Sequence, residues 1–155
     1  MKKILIATCW FLVLCSGCTA ARAMPQLDGD WIIPGDDGKT PSAVITFSKA
    51  SDGSYRGTLT KLFPAPGEEP DPKCVKCQGA KRGQPYLGLE VIWDLRAMGN
   101  AMDNAKGNEL RGPCMHPDDG AERTCTIKPA TDGRSLQFSM RIFALFSVSE
   151  TWRRP

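Results

Sequence analysis

The stretch Leu87-Gly88-Leu89-Glu90-Val91-Ile92-Trp93-Asp94-Leu95 carries the clearest fold signal in the chain. Successive side chains of a β-strand point to opposite faces, so apolar residues at every second position form one buried face. That face comprises Leu87, Leu89, Val91, Trp93 and Leu95. The pattern predicts a strand with one side in a core and with Glu90 and Asp94 on the solvated side.

Seven further segments have strand composition and are separated mostly by short turns rich in Gly, Asp and Pro. The predicted strands span residues 28–33, 43–49, 55–62, 109–115, 122–128, 135–142 and 147–153. Residues 63–86 hold five prolines and predict a long loop, whereas residues 96–108 suit either a short helix or an open loop. Eight strands without a long amphipathic helix predict an all-β protein, a single antiparallel up-and-down barrel. A β-sandwich is the alternative.

The first 23 residues have the features of an export signal. Lys2 and Lys3 precede an apolar run at 4–14, which is too short to span a bilayer, and residues 21–23 read Ala-Arg-Ala. We therefore expect a signal peptide at 1–23, a barrel domain at 24–155, and a periplasmic or secreted product without a transmembrane segment. The segment 15–18 is similar to a lipobox, so a lipid anchor through Cys18 is the alternative.

Removal of the signal peptide changes the charge of the chain. The whole sequence has 20 Lys and Arg against 17 Asp and Glu, a net charge of +3. Lys2, Lys3 and Arg22 supply this excess, so the expected mature domain is neutral. Nucleic-acid affinity comes largely from neutralising phosphates. A neutral domain therefore argues against a nucleic-acid partner.

The expected mature domain keeps four cysteines, Cys74, Cys77, Cys114 and Cys125. An even number in an oxidising compartment predicts disulfides. A four-residue hairpin loop at 118–121 would place Cys114 directly opposite Cys125, where a disulfide can form. Cys74 would then pair with Cys77. The alternative is that Cys74 and Cys77 are cross-linked to Cys114 and Cys125. A redox role for the C-x-x-C segment and a zinc site on the four thiolates are the competing interpretations. No cofactor is predicted.

Three segments resemble a secreted bacterial family, domain of unknown function 2147. They are Gly29-Asp30-Trp31, Pro85-Tyr86-Leu87-Gly88-Leu89-Glu90-Val91-Ile92 and Glu150-Thr151-Trp152-Arg153. The resemblance implies a calycin-like, lipocalin-type barrel. In such a barrel the first and last strands pair, so we expect Trp31, Trp152 and Arg153 to close it, with Arg153 over the Trp31 ring. The segment 141–146, Arg-Ile-Phe-Ala-Leu-Phe, departs from the Gly-rich sequence usual in that family.

The sequence contains no recognised catalytic motif and one histidine, which predicts a non-enzymatic protein. The leading hypothesis is a barrel that binds a small apolar molecule. Its candidate lining residues are Leu89, Val91, Trp93, Phe138 and Met140. The alternative is a filled core in an envelope structural or interaction protein, in which loop 73–82 contacts an acidic partner through Lys73, Lys76, Lys81 and Arg82.

Overall fold

The structure is a computed structural model that describes residues 26–98, 108–143 and 146–155. The predicted signal peptide, Cys18 and residues 99–107 of the predicted helix or loop lie outside this range. The described residues form eight strands and one short 3-10 helix, Gly79–Lys81. The strands are β1 Gly29–Pro34, β2 Pro41–Lys49, β3 Tyr55–Leu62, β4 Glu90–Ala97, β5 Leu110–Met115, β6 Glu122–Pro129, β7 Ser135–Phe143 and β8 Phe146–Arg153.

The eight strands close into one antiparallel barrel in chain order. Each strand pairs with the next, and β1 returns to β8 through the pair Ile32 and Arg153. The predicted up-and-down barrel is therefore confirmed, and the sandwich alternative is wrong. Closure pairs the outermost strands with each other and so leaves neither of them as a free sheet edge.

Strand β4 departs from the strict alternation that its sequence predicts. The neighbours Val91 and Ile92 are both buried, and Leu95, three residues beyond Ile92, is fully buried. Irregular pairing with both adjacent strands accounts for this, and Asp94 takes a φ of 44° within the strand. A bulge inserts an extra residue on one strand and redirects the following side chains. The buried face therefore includes Ile92, which the sequence pattern assigned to the opposite side.

The β5–β6 hairpin has a register that differs from the prediction by two residues. Cys114 lies opposite Arg123, and Cys125 lies opposite Gly112, so the two cysteines are diagonal neighbours. The physical reason is a six-residue connection, 116–121, in which the Gly120 amide donates to the His116 carbonyl at 2.8 Å. Diagonal positions still permit the predicted Cys114–Cys125 disulfide, with a Cα–Cα distance of 5.8 Å.

Large apolar side chains pack the inside of the barrel. Trp152 stacks on Phe138 with ring centroids 4.4 Å apart. The centroid of the Phe47 ring lies 6.3 Å from that of Trp152. Packing is close at Gly57, where an added Cβ would lie 2.7 Å from Ile45 Cδ1, 3.0 Å from Phe47 Cε1 and 3.2 Å from Ile92 Cβ. A methyl group added at Gly57 would require these side chains to shift.

Among the described residues, no helix is both long enough and apolar enough to cross a membrane.

Candidate functional site

One end of the barrel is closed by Trp31 and an arginine. Trp31 is fully buried, and its indole Nε1 donates to the Leu27 carbonyl at 2.8 Å. The guanidinium of Arg154 lies 4.1 Å from the Trp31 ring centroid, and donates to the Asp28 carbonyl at 2.7 Å and the Gln26 carbonyl at 2.9 Å. The closing cation is therefore Arg154, one residue beyond the predicted Arg153.

The shift by one residue follows from the alternation of β8. Trp152 is buried against Phe138, so the next side chain, Arg153, points outward and is exposed. Arg154 follows the end of the strand, and its amide donates to the Arg134 carbonyl at 2.9 Å. Its guanidinium lies over Trp31.

The five residues predicted to line a ligand cavity all belong to the hydrophobic core or pack against it. Leu89, Val91 and Phe138 are buried in the packed core, and Met140 packs against it while partly exposed. Trp93 is also partly exposed, and Lys81 Nζ lies 3.6 Å from the centroid of its ring. These side chains contribute to packing, and nothing in their arrangement marks a common binding surface.

Two clefts, of about 360 and 410 Å³, lie on the outer wall of the barrel. The smaller is lined by the two arginines Arg111 and Arg141, by hydroxyl side chains and by two phenylalanines. The larger crosses β1 to β3, where Thr46 Oγ1 donates to Asp30 Oδ1 at 2.6 Å and lies 2.8 Å from Thr60 Oγ1. Except for the buried Val44, their lining residues are partly or fully exposed, so both clefts face solvent.

The connection between β3 and β4, which we call the 63–89 loop, is held by a disulfide and by backbone hydrogen bonds. Cys74 and Cys77 form the predicted disulfide, and both are at most 1% exposed. The Cys74 amide donates to the Gln84 carbonyl at 2.8 Å, and the Gly83 amide donates to the Cys74 carbonyl at 2.9 Å. These contacts fix the middle of a loop that contains little regular secondary structure.

The 63–89 loop packs against the turn between β5 and β6. A Cβ at Gly120 would collide with the Lys76 carbonyl, which shows how closely the two backbones approach. Tyr86 Oη donates to Asp118 Oδ1 at 3.0 Å. The pKa of Tyr86 is raised to about 12, mainly by burial and to a smaller extent by the hydrogen bond to Asp118. The loop is thus attached to the barrel at more than one place.

Three of the four predicted loop cations reach solvent. Lys73, Lys76 and Arg82 are exposed, whereas Lys81 is partly buried over Trp93. Partial burial lowers the pKa of Lys81. The exposed cations therefore form a smaller group than the sequence predicts.

The two disulfides decide between the interpretations of the cysteines. All four sulfurs are bonded in pairs, which leaves no thiolate for the alternative zinc site. A redox role needs an accessible sulfur at the N-terminus of a helix. Cys74 and Cys77 are buried instead, and the helix that follows them has only three residues.

Two carboxylates near the hairpin turns have strongly shifted pKa values. Arg123 donates to both oxygens of Asp119, at 2.6 and 3.0 Å, and this pair lowers the Asp119 pKa to about 2. The pKa of Asp52 is lowered to about 2, mainly by hydrogen bonds from Ser54 and to a smaller extent by the hydrogen bond from Arg96. The Arg123–Asp119 pair ties the start of β6 to the β5–β6 turn, and the Arg96–Asp52 pair ties β4 to the β2–β3 turn. Their geometry is that of stabilising ion pairs.

Comparison with known proteins places the chain in a family. Residues 29–154 match the family described as "Uncharacterized protein conserved in bacteria (DUF2147)". The match covers nearly the whole barrel, so the chain belongs to this family, as the resemblance implied. No curated protein and no solved structure matches the chain.

Proposed function

We propose that this protein is an exported, non-catalytic interaction protein of the bacterial envelope, which works through its outer surface. The packing around Gly57 carries the proposal, because a barrel that acts as a carrier needs an interior space. The stacked rings of Phe138 and Trp152 further fill the interior. This arrangement favours the filled-core hypothesis over a small apolar ligand inside the barrel.

Export is supported by the cysteine chemistry and by the predicted signal peptide. Structural disulfides persist in oxidising compartments and are rare in the cytosol. Two disulfides within one small domain are compatible with a periplasmic or extracellular location. A lipid anchor through Cys18 is the alternative form of the exported protein.

A non-catalytic role is supported by the placement of the single histidine. Both His116 and Asp118 are exposed on the β5–β6 turn, and His116 Nδ1 lies 3.8 Å from Asp118 Oδ2. General acid–base catalysis needs a group held within hydrogen-bond distance of its partner and directed at a bound substrate. An exposed turn provides neither condition.

The exposed part of the 63–89 loop is the proposed contact for an acidic partner. Lys73, Lys76 and Arg82 are exposed there, and the disulfide and the contact at Gly120 hold the backbone that presents them. A surface that is ordered before binding loses less conformational entropy on association. The loop therefore suits docking by charge and shape.

A fluorescent apolar probe, N-phenyl-1-naphthylamine, tests whether the interior accepts a ligand. The test uses a variant with Phe143→Ser and Phe146→Ser, because these substitutions remove apolar surface to which the probe could bind. We expect the probe to show no saturable binding to this variant. Adding Phe138→Ala opens a cavity and should allow binding. Saturable binding without the cavity-forming substitution would overturn the filled-barrel proposal in favour of an apolar carrier.

Retention on immobilised poly-glutamate tests the loop surface. The triple variant Lys73→Gln, Lys76→Gln, Arg82→Gln should elute at lower salt than the wild-type protein, because exposed charge pairs are screened by salt. A control variant removes three exposed cations elsewhere, at Lys39, Lys128 and Arg153. Equal elution of both triple variants would show that only net charge matters and would contradict a loop-specific surface.

A further inference from the structure

The outward faces of β5 to β8 bring two arginines onto one polar wall. Arg111 on β5 pairs across the sheet with Thr126 on β6, and Thr126 pairs with Ser139 on β7. Arg141, two residues further along β7, pairs with Ser147 on β8. Neighbouring strands are about 4.8 Å apart. Both guanidinium groups therefore border the same cleft of about 360 Å³.

The two arginines of this wall differ from other arginines of the barrel in their ion pairing among the described residues. In the part of the chain that the structure describes, neither Arg111 nor Arg141 lies within salt-bridge distance of a carboxylate. On the same barrel, by contrast, Arg96 pairs with two aspartates and Arg123 with one. A guanidinium presents five N–H donors in a planar fork that matches a carboxylate or a phosphate.

Two phenylalanines also line the cleft. Phe143 and Phe146 pair across the ends of β7 and β8, and they are 70% and 71% exposed. The strand register shifts between Arg141 and Phe143, and both residues line the cleft. Exposed paired aromatic residues beside cations commonly mark an interaction site.

We propose that this cleft binds a small organic anion in which a phosphate or carboxylate is attached to a ring. Arg111 and Arg141 bind the anionic group, while the hydroxyls of Thr124 and Thr126 supply further hydrogen bonds. The Phe143 and Phe146 rings contact the face of the ligand ring. The cleft volume lies at the lower end of the range for small-molecule sites. The inference deepens the proposed function and rests on it, because it requires a barrel that acts through its outer surface.

Calorimetric titration with matched probes tests the site. Phenyl phosphate carries both features, inorganic phosphate only the anion, and benzyl alcohol only the ring. We expect phenyl phosphate to bind at least about tenfold more tightly than either partial probe. Glucose 1-phosphate, titrated in parallel, determines whether a sugar ring replaces the aromatic one. A preference for either ring-bearing phosphate over inorganic phosphate supports the proposal.

Variants then locate the binding. Arg111→Gln and Arg141→Gln should each weaken phenyl phosphate binding about tenfold. Phe146→Ser should weaken phenyl phosphate binding and leave inorganic phosphate unchanged. Arg153→Gln is the matched control, because Arg153 is exposed on β8 and does not line the cleft. Arg141 is exposed, so Arg141→Gln shows whether phenyl phosphate binds in this cleft if Arg111→Gln fails to fold.

Two results would overturn the site. One is the absence of binding by both ring-bearing phosphates at millimolar concentration. The other is binding that Arg141→Gln leaves unchanged or that Arg153→Gln weakens equally. Neither result affects the proposed filled barrel, which fails only if the naphthylamine probe enters the interior.

Discussion

Arg154 shows how much a single position matters at the end of a strand. Its guanidinium covers the buried Trp31 ring and donates to two backbone carbonyls, whereas the adjacent Arg153 is exposed on the outer wall. The Trp-Arg-Arg sequence at 152–154 indicates that a cation is available near the first strand. It does not indicate which arginine covers Trp31, because that depends on which residues at the end of β8 face inward.

The two arginines should therefore differ sharply in their contribution to stability. Arg154→Gln removes the cation–π contact and the hydrogen bonds to the carbonyls, and should lower the free energy of unfolding by about 1–3 kcal/mol. Arg153→Gln should change it by at most about 0.5 kcal/mol. Urea unfolding followed by tryptophan fluorescence measures both. The reverse order would return the closing role to Arg153.

Asp119 should make stability depend on pH in the acid range. Its carboxyl pKa is about 2 in the folded protein, against an ordinary value of 3.8, because of the hydrogen bonds from Arg123. A lowered folded-state pKa stabilises the protein above the unfolded pKa, and this contribution is lost as the pH falls from about 4 to about 2. Asp119→Asn should reduce the pH dependence of the free energy of unfolding between about pH 4 and about pH 2.

Unfolding measured across that range gives the comparison. Asp36→Asn, on the exposed β1–β2 turn, serves as the control and should keep the acid dependence of the wild-type protein. If Asp119→Asn loses stability with the same slope as the control, the pair with Arg123 does not contribute to it.

At the scale of elements, strand existence could be predicted better than strand register. The predicted third strand coincides with β3, Tyr55–Leu62, because a clear turn precedes it and the proline-rich loop follows it. The fourth begins three residues later than predicted, since Gly88 takes a positive φ and the chain turns there. The bulges near Asp94 and the longer β5–β6 turn depend on contacts between strands, which no local pattern reports.

The two disulfides should stabilise the protein to different extents. In the chain-entropy description, the larger ring closed by Cys114 and Cys125 contributes about 3 kcal/mol, and the small ring closed by Cys74 and Cys77 about 2 kcal/mol. Alanine pairs replacing each disulfide should follow this order in urea unfolding under non-reducing conditions. Limited proteolysis should cut the 63–89 loop only in the Cys74 and Cys77 variant. Equal cleavage in both variants would show that this disulfide does not fix the loop.

At the scale of the whole molecule, the sequence predicts a closed barrel and leaves its interior undecided. Alternating apolar residues are equally compatible with a packed core and with a lined cavity, because both bury one face of each strand. The outcome depends on how side chains from different strands meet, as Ile45, Phe47 and Ile92 meet over Gly57. The cleft between Arg111 and Arg141 was missed for a related reason. Both arginines occupy outward positions of predicted strands, but only the register shows that they lie near one another.

Gly57 provides a direct measure of how tightly the barrel is filled. Gly57→Ala should lower the free energy of unfolding by about 1–3 kcal/mol, because the added methyl would lie 2.7 Å from Ile45 Cδ1. Ile45→Val removes that Cδ1 carbon and should recover part of the loss in the double variant. A double-mutant cycle in urea measures the coupling. Additive effects would indicate an interior loose enough to accept the methyl group.

Within residues 26–98, 108–143 and 146–155, disulfides reinforce one end of the barrel and not the other. Both disulfides lie toward the end where the 63–89 loop meets the β5–β6 turn, whereas Arg154 and Trp31 hold the opposite end through non-covalent contacts. Local opening requires less free energy where no cross-link limits separation of the strands. Native-state fluctuations should therefore begin at the chain termini and spread toward the disulfides, so that amide protons near Gly29 exchange with solvent before those near Cys125.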